Sequence, residues 1–67
     1  MEKFAERLKE LREEKGLTQS KLEQTLNLGN GTIGKWESMK RMPKMDSIIL
    51  LCKFFGVTSD YLIGLED

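Results

Sequence analysis

The segment Thr18–Trp36, TQSKLEQTLNLGNGTIGKW, constrains this chain more than any other feature. It predicts two short helices joined by a tight turn. Leu22 and Leu26 mark the inner face of the first helix. Ile33 and Trp36, three residues apart, mark the inner face of the second. Asn27-Leu28-Gly29 reads as the turn: Asn tolerates the left-handed conformation, Leu28 plugs the corner, and Gly29 opens the next segment. Two helices so joined can present the second one to the major groove of DNA.

The rest of the chain predicts more helices and no strand. Phe4, Leu8 and Leu11 recur at i, i+4 and i+7 and place helix 1 over about Glu2 to Lys15, with Gly16 as its stop. Helix 2 starts after Thr18, a good N-cap, and runs to about Thr25. Helix 3 runs from about Asn30 to Glu37. Ser38 to Lys44 is a basic loop that Pro43 keeps from being helical. Helix 4 spans about Asp46 to Phe55, with Ile48, Leu51, Cys52 and Phe55 as its buried stripe and Gly56 as its stop. Helix 5 starts near Ser59, capped by Thr58 or Ser59, with Tyr61 and Leu62 turned inward and Gly64 at its end. The expected fold class is all-α, a compact five-helix bundle, with residues 1–67 as a single domain.

Composition removes several function classes. A chain of 67 residues has little core to spare for an enclosed active site. With no histidine and one cysteine it offers no zinc-finger spacing and no internal disulfide framework. No nucleophile stands beside a base and no paired carboxylates suggest a pocket, so an enzyme is not expected. The longest apolar run, Ile48 to Cys52, is followed by Lys53 and is far short of the roughly 20 residues of a membrane span. The opening MEKFAERLKE lacks the apolar core of a signal peptide, and a cytoplasmic location is expected.

The net charge is zero, but it is unevenly spread. Between residues 18 and 44, Lys21, Lys35, Lys40, Arg41 and Lys44 oppose Glu23 and Glu37, five minus two, or +3. Between 45 and 67, Lys53 opposes Asp46, Asp60, Glu66 and Asp67, one minus four, or −3. The positive charge accompanies the two-helix segment, and distribution says more about binding than the total does.

Gly29-Asn30-Gly31-Thr32-Ile33-Gly34 spells the G-x-G-x-x-G dinucleotide fingerprint. That pattern has force only after a strand and within a βαβ unit. A helix precedes it here, so no cofactor is expected. It reads instead as part of a slender helix, each interior glycine costing about 1 kcal/mol against alanine. Such a helix is expected to be loose until DNA orders it. Trp36 can stack on a base, but its spacing assigns it to the core. Cys52, on an apolar helical face, is also expected in the core.

Three segments, RLKELREEKGLTQ at 7–19, TIGKWE at 32–37 and FGVTSDYLIG at 55–64, together resemble the phage-type repressor and Cro family, the xenobiotic-response-element-like regulators. The resemblance covers nearly the whole chain. It implies the lambda-repressor-like five-helix DNA-binding domain, a double-stranded DNA operator as partner, and a homodimer that usually represses transcription. It implies that Gln19, opening helix 2, contacts a DNA phosphate, and that Asn30, Gly31, Thr32 and Lys35 contact base edges. It also implies that Arg12 pairs with Glu37. The residue chemistry agrees. Asn30 can bond an adenine edge, Thr32 can meet a thymine methyl, and Lys35 can reach guanine or a phosphate. Lys40, Arg41 and Lys44 suit phosphate contact and make binding salt-sensitive.

Three positions depart from the family pattern. Glu23 stands where a small residue is usual, so either helix 3 packs differently or Glu23 leans outward. Asn27 replaces a turn glycine. Met39 replaces the glycine common after helix 3 and is a poor left-handed residue. Leu50 and Phe54 lie beside the inward stripe of helix 4; with Ile49 and Ile63 they form either a wide core or an apolar dimer interface. A second function stays open: a helical interaction module, antitoxin-like or binding a regulatory partner, with DNA contact secondary. No small-molecule ligand is expected. A chain of this extent is either a minimal regulator in the manner of Cro or a fragment ending at Asp67.

Overall fold

A computed structural model describes residues 2–67. Five helices follow one another: α1 (Glu2–Glu14), α2 (Gln19–Leu26), α3 (Thr32–Glu37), α4 (Met45–Phe55) and α5 (Ser59–Ile63). The described residues contain no strand. Local chemistry explains most boundaries. Thr18 Oγ1 accepts the Lys21 N–H at 3.0 Å and opens α2, and Thr58 Oγ1 accepts the Tyr61 N–H at 3.0 Å and opens α5. Gly16, Gly56 and Gly64 follow α1, α4 and α5 with positive φ. Asn27 follows α2 in the left-handed conformation, with φ 58°. Asp46 sits in the first turn of α4, while Lys44 holds the cap position.

One helix starts later than its sequence pattern predicts. Helix α3 begins at Thr32, and Asn30 and Gly31 belong to the turn before it. Gly31 is the cap residue at φ 86°, a conformation that side chains disfavour. Only Gly34 therefore weakens the helix interior; Gly31 lies at a position that calls for glycine.

The core takes side chains from every helix. Phe4 and Leu8 of α1 meet Leu22 of α2, Ile33 and Trp36 of α3, Ile48 and Leu51 of α4, and Leu62 of α5. Helix α1 packs against both α3 and α5, α2 against α3, and α4 against α5. The Phe4 and Trp36 rings meet edge to face, centroids 6.3 Å apart. Cys52 and Phe55 are half-buried at the core's margin. Burial raises the Cys52 thiol pKa above its ordinary value. Among the described residues no helix is long and apolar enough to cross a membrane.

The chain leaves α3 through a strained residue. Met39 adopts φ 64°. Its neighbours gain from it: the Lys40 N–H reaches the Lys35 carbonyl at 2.9 Å, satisfying the end of the helix. A left-handed conformation costs a residue with a Cβ roughly 1–2 kcal/mol, and glycine almost nothing.

Candidate nucleic-acid interface

Helix α3 is only six residues long, too short to hold itself together. Its position depends on polar ties to α1 and α2. The first tie is Glu23. This side chain is 5 % exposed, and its carboxylate accepts the Ile33 N–H at 2.9 Å. The sequence leaves two readings of Glu23, an outward lean or a different packing of helix 3, and the first is excluded: the side chain turns inward. Gly31 supplies no side-chain cap, which leaves the first amides of α3 in need of an acceptor. Glu23 meets that need from the preceding helix, and its charge suits the positive end of the helix dipole. A hydrogen bond to a charged group contributes roughly 1.5–3 kcal/mol. That offsets the burial of the carboxylate.

The second tie holds the other end of α3. Arg12 Nε donates to Glu37 Oε2 at 2.8 Å and Arg12 Nη2 to Glu37 Oε1 at 3.1 Å, a two-pronged pair. Arg12 Nη1 also donates to the Leu17 carbonyl at 2.7 Å. The hydrogen bond with Glu37 raises the Arg12 pKa above its ordinary value, outweighing the effect of burial. Gln19 Nε2 joins the network by donating to Glu37 Oε1 at 2.9 Å. Gly34 makes room for it: a Cβ there would lie 3.2 Å from Gln19 Oε1. The family resemblance implies a phosphate contact for Gln19; in the structure its side chain is exposed but already bound at one end to Glu37.

These ties also shape the surface charge. Glu23 and Glu37 are the two carboxylates of the 18–44 segment, and both are drawn in, the Glu37 side chain being 6 % exposed. Lys21, Lys35, Lys40, Arg41 and Lys44 all remain exposed. None of them joins an ion pair among the described residues. The +3 balance of the segment is thus presented to solvent as cations alone.

The other predicted residues fall into two groups. Asn30 and Gly31 are exposed on the turn, Thr32 is half-buried at the start of α3, and Lys35 is exposed on its outer face. Lys40, Arg41 and Lys44 lie in the loop between α3 and α4. Leu50 and Ile49 are exposed on α4, whereas Phe54 is half-buried, set edge to face with Phe55 at 5.0 Å and under the Lys15 ammonium at 5.4 Å. Of the four residues that form either a wide core or an apolar patch, Ile49 and Leu50 are exposed and Phe54 and Ile63 are half-buried.

The structure thus holds a short α3 at both ends and leaves Lys35 exposed on it, followed by the exposed cations Lys40, Arg41 and Lys44. A helix-turn-helix family model matches residues 8–62, and the chain belongs to this helix-turn-helix family, of the phage-repressor type. It is 44 % identical over 64 residues to the HTH-type transcriptional activator BcrR of Enterococcus faecalis, an overlap covering 96 % of this chain and 31 % of that protein. It is 36 % identical over 64 residues to the HTH-type transcriptional regulator ImmR of Bacillus subtilis, covering 96 % of this chain and 50 % of that one. A prophage-derived regulator of Bacillus subtilis, YonR, is 33 % identical over 60 residues, or 90 % and 56 % of the two chains. The chain thus spans between about a third and just over half the length of these relatives.

Proposed function

We propose that this chain binds a near-palindromic DNA operator as a homodimer and thereby controls transcription. The observation that carries this reading is the withdrawal of both carboxylates from the α2–α3 surface, which leaves only cations beside the recognition helix. Asn30, Gly31, Thr32 and Lys35 read base edges. Lys40, Arg41 and Lys44 grip phosphates, and Gln19 adds an uncharged donor to the phosphate side. A molecule 29 Å in its longest dimension reads one half-site. Half-sites one turn apart, about 34 Å, call for a second copy. Repression follows when the site overlaps a promoter. BcrR, which this chain resembles, is named an activator, so the proposed control of transcription includes activation as well as repression.

The single chain is tested by measuring affinity for a selected operator and for random duplex at one salt concentration. Asn30→Ala with Lys35→Ala abolishes the difference between the two duplexes. Retained discrimination in the double variant would overturn the assignment of α3 as the reading element.

A further inference from the structure

Met39, Met42 and Met45 stand at every third position through the loop after α3 and into the first residue of α4. They are 55, 61 and 65 % exposed, so solvent-borne oxidants reach each thioether. Cys52 is a weaker target: it is half-buried, and burial favours its unreactive thiol form. The three methionines differ in their surroundings. Met42 lines a groove of about 310 Å³ together with Leu28, Trp36, Arg41 and Lys44. No carboxylate lines that groove. Arg41 and Lys44 are exposed and free of ion pairs among the described residues. Met39 borders a separate crevice beside Glu6 and Glu37, and Met45 borders neither. Met42 alone therefore sets an oxidisable sulfur among cations that lack an acceptor.

We infer that Met42 is an oxidation site through which a hydroperoxide weakens the chain's hold on DNA. The sulfur lone pair attacks one peroxide oxygen and the O–O bond breaks. Sulfur keeps that oxygen as the sulfoxide, and the other oxygen leaves as water with both protons. Sulfur loses two electrons and the peroxide gains them. The product is polar, and its oxygen accepts hydrogen bonds far better than the thioether does. It gives Arg41 or Lys44 a partner inside the protein and withdraws that cation from phosphate. The effect on DNA rests on the reading proposed above; the oxidation itself does not. A phosphate carries no base identity, so the loss falls on every sequence alike.

The test treats the full chain with hydrogen peroxide, locates the added oxygen by peptide mass mapping, and measures affinity for operator and random duplex before and after. Oxygen is found at Met42, and affinity for both duplexes falls roughly tenfold, as for one lost hydrogen bond to a charged group. Helix content by circular dichroism stays the same. The two methionine sulfoxide reductases together restore binding, whereas dithiothreitol alone does not. Met42→Leu conserves volume without an oxidisable sulfur. It binds duplex like the wild type and no longer responds to peroxide, while Met39→Leu combined with Met45→Leu still responds. Recovery with dithiothreitol alone would assign the response to Cys52 and overturn the inference. A full response in Met42→Leu, or loss of helix on oxidation, would overturn it too. Should Met42 be oxidised with no change in affinity, the inference fails and the DNA reading stands. If untreated protein binds no duplex, the DNA reading falls and takes this inference with it.

Discussion

The α2–α3 pair and the α4–α5 pair share one core but are held by different forces. Helix α4 is 11 residues of mostly apolar sequence, and the core residues Ile48 and Leu51 anchor it. Helix α5 adds Leu62 and a threonine cap. Helix α3 has two core residues, Ile33 and Trp36, and it carries glycine within its span. Its remaining hold is polar: Glu23 at one end, Arg12 and Gln19 through Glu37 at the other. Charge follows the same division. The α4–α5 region is negative by sequence, and the α2–α3 region shows cations only. The lesson concerns surface economy. A helix that enters a groove cannot bury its outer side, so directional bonds must supplement the packing its inner side provides.

Three substitutions bring out that contrast. Leu51→Ala has the largest expected effect. Leu51 is fully buried, and such a truncation costs roughly 2–5 kcal/mol. Because all five helices share the core, both regions melt together in a single transition. Two separated transitions by circular dichroism would show that the shared core does not couple them.

Glu23→Ala comes next, at roughly 1–3 kcal/mol, since it orphans the Ile33 N–H. Glu23→Gln retains an acceptor and recovers most of the loss. Amide exchange localises the damage: the early amides of α3 lose protection while those of α4 keep theirs. Uniform exchange throughout the chain would remove the distinction between polar and apolar hold.

Met39→Gly is the smallest and has the opposite sign. It relieves the φ 64° conformation and raises stability by about 1 kcal/mol, somewhat offset by the flexibility glycine gives the unfolded chain. A drop in thermal midpoint would mean that the Met39 side chain contributes packing that outweighs its backbone strain.

Several features were legible before any coordinates. The cap Thr18, the turn residue Asn27 and the core pair Ile33 and Trp36 all follow from near-neighbour chemistry, while the cap of α5, open between Thr58 and Ser59 in the sequence, is Thr58. The late start of α3 was less visible, because Gly31 suits either a helix interior or a left-handed cap. For Glu23 the sequence leaves two readings open, an outward lean or a different packing of helix 3, for a clearer reason. A carboxylate is assigned to the surface unless a partner is known, and its partner is an amide ten residues away. The engagement of Gln19 by Glu37 spans 18 residues and was equally hidden. The Arg12–Glu37 match came from family resemblance; its two-pronged geometry came from the fold.

The sequence alone determined how many helices form, which faces turn inward and where the cations cluster, because periodicity and capping act over three or four residues. Only the tertiary structure decided which charges stay on the surface and which donors find partners. A side chain's exposure depends on what the fold brings opposite it, and in α3 those partners lie 10, 18 and 25 residues away along the chain.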